Sequence, residues 1–215
     1  MGSKLQIAID LATAAEAMDI VEKIHDIIDI VEVGTPMIIR EGMLGVKMLK
    51  AKYPELTVLA DTKIVDGGDL ECADACEAGA DIVTVLALSD NETVRAVSET
   101  AHKYGRLAMA DLISVDDIPR RALELKALDI DLICVHTAVD VQKLGKTPLG
   151  DLRELNSAVP AEITAVAGGV KLSTIREYAA EHPAVIIAGG ALYNAADIRQ
   201  TAMDMKAEIE KEARA

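Results

Sequence analysis

The sequence predicts an α/β chain folded as a single-domain (β/α)8 TIM barrel, and three observations point that way. Short runs rich in Val, Ile and Leu alternate with longer Ala-, Glu-, Lys- and Leu-rich stretches from end to end. Eight apolar runs recur every ~25 residues, the size of one strand-plus-helix unit of a barrel. The runs are nearly continuous in Val and Ile, as a parallel sheet covered on both faces requires. An open doubly wound sheet would share the alternation, but it accounts less well for the count of eight and for the polar residues gathered where the strands end.

Taken in order, the β-branched runs predict strands at residues 5–9, 28–31, 57–60, 82–86, 107–110, 132–135, 162–167 and 185–188. Helical patterns lie between them, the clearest at 13–24, 41–52, 67–78 and 92–104, with a closing helix at 195–213. No linker or low-complexity segment interrupts the series. Residues 1–3 are expected to be a cloning scar or a disordered start, and 4–215 the catalytic barrel. The start does not complete a myristoylation signal, since Gln6 stands where Ser or Thr is needed.

Composition narrows the function. With 51% hydrophobic residues among 215, there is ample material for a core. No run approaches the roughly 18 apolar residues of a membrane span. The 22 basic residues against 36 acidic ones give a net charge of −14. A field of that sign repels phosphate backbones and anionic lipid, so neither nucleic acid nor a membrane is an expected partner. Phe and Trp are absent and Tyr occurs four times, which nearly excludes binding by aromatic stacking. Three cysteines do not make a disulfide framework and suit a reducing cytoplasm.

Barrel active sites lie at the C-terminal strand ends. Those ends carry Asp10, Glu32, Asp61 with Lys63, Asp111, His136, Gly168-Gly169 and Gly189-Gly190, and only strand four, running into Ala87 and Leu88, ends blandly. Any single acidic residue there also serves as a helix cap; seven polar or Gly-Gly endings on one rim form a site. Strand alternation puts Asp61 and Lys63 on one side, where each holds the other charged, while Asp66 falls in the loop beyond. Glu32 and Asp61 end neighbouring strands, and two carboxylates in one mouth suit a hard cation such as Mg²⁺; the alternative is that one of them caps a helix. The doubled glycines after strands seven and eight let backbone amides approach an anion, where barrels bind phosphate. His136 is the one histidine that ends a strand and is the candidate proton carrier, a hydrogen-bonded core histidine being the alternative. Cys72, Cys76 and Cys134 read as packing.

These residues together resemble the orotidine 5′-monophosphate decarboxylase superfamily, whose D-x-K-x-x-D motif stands here as Asp61-Thr62-Lys63-Ile64-Val65-Asp66. Within it the chain is similar to the 3-hexulose-6-phosphate synthase family. The likeness extends from Lys4 to the last helix and includes Gln6-Ile7-Ala8-Ile9-Asp10, Val31-Glu32-Val33-Gly34-Thr35-Pro36, Val135-His136-Thr137 with Asp140 and Gln142, and Val166-Ala167-Gly168-Gly169-Val170. The sister family, 3-keto-L-gulonate-6-phosphate decarboxylase, shares Glu32, the Asp61–Asp66 motif and His136. It carries Glu in place of Asp111, and Arg in place of Val139 and of Gly190.

The resemblance implies an aldehyde-lyase that adds formaldehyde to D-ribulose 5-phosphate, giving D-arabino-3-hexulose 6-phosphate, through a metal-stabilised enediolate. It implies Mg²⁺ on Glu32 and Asp61, His136 as proton carrier beside Asp111, and Lys63 complementing the anion. Asp10 would contact substrate hydroxyls, and Gly168, Gly169, Gly189 and Gly190 would anchor the phosphate. It also implies a homodimer in which Asp66 reaches the partner's site. A barrel that only binds sugar phosphates would leave gaps among the ionisable strand ends, and there are none.

Overall fold

The computed structural model describes residues 2–10 and 13–213. Met1, part of the expected scar, lies outside the described residues, as do Leu11, Ala12, Arg214 and Ala215.

Eight strands close into a barrel in sequence order, each parallel to its neighbours: β1 Lys4–Ile9, β2 Ile30–Val33, β3 Thr57–Ile64, β4 Ile82–Leu86, β5 Leu107–Asp111, β6 Leu132–His136, β7 Thr164–Ala167 and β8 Val185–Ala188. The helices outside are α1 Ala14–Glu22, α2 Thr35–Glu41, α3 Leu44–Lys52, α4 Gly68–Glu77, α5 Asn91–Lys103, α6 Ile118–Ala127, α7 Val139–Gln142, α8 Leu149–Ala158, α9 Ile175–Ala179, α10 Gly190–Tyr193 and α11 Ile198–Ala213.

The expected barrel is therefore present, with shifted boundaries. The second strand runs two residues later than expected, because residues 28 and 29 close the loop. The third extends four residues further, so Asp61 and Lys63 lie inside the strand. Residues 162 and 163 belong to a 3-10 turn instead of strand seven. Thr13 is a cap instead of a helical residue: its hydroxyl accepts from Glu16 N, and Glu16 accepts from Thr13 N, a closed capping box. The expected helix 41–52 begins only at Leu44, as α3, because Gly42 takes φ 59 and ends a separate helix, α2, that the sequence reading did not include.

Alternation along the strands makes two apolar layers. Leu5, Ile7, Ile9, Val31, Val33, Ile133 and Val135 pack outward against the helices. Ala8, Ile30, Leu59, Ile82, Met109 and Cys134 fill the barrel interior. With no Phe or Trp, this interior is built from aliphatic, Met and Cys side chains.

At the N-terminal rim three aspartates stitch strand to strand. Asp29, Asp81 and Asp131 each stand just before an even-numbered strand. Their carboxylates accept the backbone N–H of Leu5, Val58 and Ala108 at 2.7, 2.9 and 2.8 Å. Each is also held by a basic side chain: Lys206 for Asp29, Lys50 and Arg106 for Asp81, His102 for Asp131. The best furnished is Asp81, placed far from the opposite rim where barrels do chemistry. Asp81→Ala leaves a backbone N–H and two cations without their acceptor. It should lower stability by about 1–3 kcal/mol in urea denaturation and leave turnover intact.

Candidate active site

The parity that sends Val31 and Val33 outward sends Glu32 inward. The same rule turns Asp61, Thr84, Asp111 and His136 into the barrel at the C-terminal ends of β3 to β6. Together with Asp10, just past β1, they line a cavity of about 590 Å³ whose far wall is Gly168, Gly169, Gly189 and Gly190. Of the expected site residues only Asp66 stands apart. It is exposed and its carboxylate accepts Gly67 N at 2.8 Å.

Lys63 is the centre. The β3–β4 register slips between Ala60 and Ile64, and Lys63 takes a left-handed φ of 48, so its approach to Asp61 comes through an irregular strand end and not regular alternation. Its Nζ donates to Asp61 Oδ2 at 2.8 Å, Asp61 Oδ1 at 3.0 Å and Asp111 Oδ2 at 2.8 Å. Thr84 answers the blank that the sequence left at strand four. Its hydroxyl donates to Asp61 Oδ1 at 2.9 Å and accepts Lys63 N at 2.9 Å, fixing both ends of the irregular turn. Thr35, at the start of α2, donates to Asp61 Oδ2 at 2.7 Å.

The electrostatics follow from this geometry. Burial works against the Lys63 ammonium, but the charges of Asp61 and Asp111 outweigh it and raise its pKa. Burial likewise works against ionised Asp111, yet the hydrogen bond and charge of His136, with Lys63, hold its carboxyl down to about 2. Glu32 goes the other way: burial, then the charges of Asp61 and Asp10, push it well above the usual carboxylate range. Asp10 is raised by burial and by Asp61.

An ionised Asp111 can only accept hydrogen bonds. His136 Nδ1, 2.9 Å from Asp111 Oδ2, therefore carries the proton. That leaves Nε2 as the ring nitrogen free of Asp111 and the candidate proton acceptor.

The carboxylates fit an oxygen-bound cation. Gln6 Nε2 alone among the described residues donates to Glu32, and Gln6 Oε1 is a buried oxygen with no partner, which costs roughly 1–3 kcal/mol. The cavity is lined by five acids, Asp10, Glu32, Asp61, Asp111 and Asp140, against two lysines, Lys63 and Lys171, a shortage of positive charge that a divalent ion would offset. Mg²⁺ takes one or two carboxylates and keeps other positions for water or substrate. No group of three His, Cys, Asp or Glu forms a metal cluster among the described residues. Glu32 and Asp61 are the two that would hold it.

Gly168 and Gly169 have φ of 102 and 80. A Cβ on Gly168 would stand 2.4 Å from Thr137 O, so no larger residue fits where β7 meets β6. A more open groove lies beside this mouth, near Leu88 and Val115. Its Arg121 is spent on Ala87 O, Ser89 O, Asn91 and Glu124.

Three residues to which the sequence assigns no role belong to this site: Gln6 and Thr35, which appear only within the segments of family likeness, and Thr84. For Gln6 and Thr84 a signal existed, since each is the polar residue inside an otherwise apolar strand run.

Fold and site together define an α/β barrel whose mouth holds a lysine bridging two carboxylates and a histidine oriented by one of them. Residues 3–205 match the orotidine 5'-phosphate decarboxylase / HUMPS family, and the chain belongs to that family. It is 44% identical over 203 residues to 3-hexulose-6-phosphate synthase of Bacillus subtilis (strain 168), covering 94% of this chain and 97% of that protein. The crystal structure of 3-hexulose-6-phosphate synthase from Salmonella typhimurium matches with a TM-score of 0.95 at 40% identity, over 97% of this chain and 99% of that one. A 3-keto-L-gulonate-6-phosphate decarboxylase from Vibrio cholerae O1 biovar El Tor str. N16961 matches with a TM-score of 0.86 at 26% identity, over 98% and 99%. This chain is accordingly a lyase-type enzyme of the 3-hexulose-6-phosphate synthase kind.

The Asp111 pairing carries a pH signature. Its carboxyl is lowered from 3.8 to about 2 on folding, so the ionised form contributes about 2 kcal/mol of stability above the unfolded value. That contribution is lost as pH falls from 3.8 through about 2. Asp111→Asn should be less stable than wild type by about that amount at neutral pH, with the gap held to near pH 4 and narrowing below it in urea titrations. A gap already closing above pH 5 would contradict the depressed carboxyl.

Proposed function

We propose that this enzyme catalyses the reversible, Mg²⁺-dependent aldol addition of formaldehyde to D-ribulose 5-phosphate, giving D-arabino-3-hexulose 6-phosphate. The observation that carries the reading is the line Lys63–Asp111–His136, which supplies a fixed cation and a base of defined tautomer in one mouth. His136 Nε2 removes a proton from carbon 1 of the ketose, leaving an enediolate. Carbon 1 then attacks the formaldehyde carbon, and the new alkoxide takes up a proton to become the product's hydroxyl. Lys63, held by Asp61 and Asp111, compensates the negative charge of the enediolate. Mg²⁺ on Glu32 and Asp61, when bound, supplies Lewis-acid compensation of the charge developing on the substrate oxygens. Asp10 meets the sugar hydroxyls. The backbone around Gly168, Gly169, Gly189 and Gly190 anchors the phosphate, and that remote binding energy positions the reacting end.

The sister decarboxylation is the reading to exclude. Against it stand Asp111 for Glu and Val139 for Arg. Gly190 for Arg stands against it as well: an added Cβ there would begin 3.3 Å from Asn194 Nδ2, so that side chain would have to give way.

A homodimer working in the cytoplasm completes the proposal. Exposed Val65, Leu70 and Leu88 surround the loop that carries Asp66, and apolar surface beside a site residue fits a second copy. No helix of the described residues is long and apolar enough to cross a membrane, and the three cysteines are free and buried.

Two experiments test these points. In deuterated water without formaldehyde, the enzyme should exchange one carbon-1 hydrogen of ribulose 5-phosphate. His136→Ala should slow this by about 10²–10⁴-fold, and a chelator should stop it until Mg²⁺ is restored. Exchange as fast in the variant, or full activity in excess chelator, would overturn the corresponding role. For the dimer, nearly inactive Lys63→Ala and Asp66→Ala proteins should regain activity when mixed, because each hybrid holds one intact site. An active monomer in light scattering would refute it.

A further inference from the structure

Gln6 has no place in the chemistry above, yet it is among the least accessible residues, with 0% of its surface exposed. Leu5, Ile7 and Ile9 pack outward, so parity assigns Gln6 to the barrel interior with Ala8. Its Cα partners there are apolar, Ile30 on β2 and Ile187 on β8. An aliphatic side chain would fill that volume without burying an unpaired carbonyl, so packing does not account for the amide. What the amide does is reach up one layer. Its Nε2 donates to Glu32 Oε2 at 2.5 Å, past Ala8, the small Cα partner of Glu32.

We propose that Gln6 is a positioning residue that fixes the Glu32 carboxylate so that its second oxygen is presented to a divalent cation. The proposal rests on the reading of Glu32 and Asp61 as cation ligands. Glu32 is a flexible side chain with the like charges of Asp61 and Asp10 nearby. Without a donor on one oxygen, repulsion would turn the carboxylate away from the other two. A hydrogen bond from a rigid strand residue limits that motion before the ion arrives, and loss of such an outer partner costs about 10–100-fold in metal affinity. The unpaired Oε1 fits this account: the amide is kept for its donor end, and its acceptor end is left over.

The test is direct Mn²⁺ binding, followed by electron paramagnetic resonance of the free ion, with no substrate present. Gln6→Met keeps the volume and removes the donor; Gln6→Leu serves as a second apolar replacement, and thermal unfolding in chelator reports folding of each. Both variants should bind Mn²⁺ about 10–100-fold more weakly than wild type. Saturating metal should restore much of kcat while KM for the sugar phosphate stays near wild type, a split that a merely structural defect would not produce. Affinity within about twofold of wild type in a folded variant overturns the role of Gln6 and leaves the cation reading standing. No Mn²⁺ binding by wild type overturns both. Failure of both variants to fold would mark the amide as a packing element and also overturn the proposal.

Discussion

The bridge from Lys63 to Asp61 and Asp111 is the interaction on which the site depends. One ammonium lies 2.8 Å from a carboxylate on each side, and both carboxylates are almost fully buried. Such charges persist in a barrel interior because they are paired; a lone buried carboxylate would neutralise instead. His136 and, after it, Lys63 hold Asp111 ionised, the ionised carboxylate accepts from His136 Nδ1, and that leaves Nε2 as the nitrogen free of Asp111. The backbone bends to make this contact, through the positive φ of Lys63 and the slip in the β3–β4 register. Thr84 holds the bend by bonding both Lys63 N and Asp61.

Glu32 shows the opposite solution. It has one amide donor in place of a cation, and burial, followed by the surrounding carboxylates, raises its pKa. The same mouth therefore holds a carboxylate with cationic partners and another whose charge calls for one. Two carboxylates with environments that push them apart have different work to do. In the proposed reaction a divalent ion on the Glu32 side and His136 on the Asp111 side would divide the labour across the width of the barrel.

The two rims separate stability from chemistry. At the N-terminal rim Asp29, Asp81 and Asp131 accept backbone N–H groups from neighbouring strands and pair with bases, so their charges are locally matched. At the C-terminal rim acids outnumber the cations. Between the rims lies an apolar layer of Ile30, Leu59, Ile82 and Met109. Gln6 is the polar side chain that spans part of this layer and links it to the site.

Much of this was legible in the sequence because barrel parity is a local property. A β-branched run that ends in a polar residue shows both the strand and the direction of its last side chain, which is why Asp10, Glu32, Asp61, Asp111 and His136 stood out; the direction of Lys63 depends on the irregular end of β3 instead. Glycine pairs after two apolar runs were equally readable, since their backbone freedom is a matter of composition. Thr84 and Gln6 lay hidden inside strands, where an isolated polar residue resembles tolerated variation until its partner on the next strand is known. Thr35 was obscured because α2, a seven-residue helix, gives too short a pattern to read. The sequence by itself determined eight strands, their facing and the identity of the ionisable rim, because these follow from residue type and period. Only the tertiary structure decided which carboxylate takes the lysine, which nitrogen of His136 is protonated and which acid is left short of a partner. Those choices are made by distances between residues as far apart in the chain as Lys63 and Asp111, and only the closing of the barrel sets them.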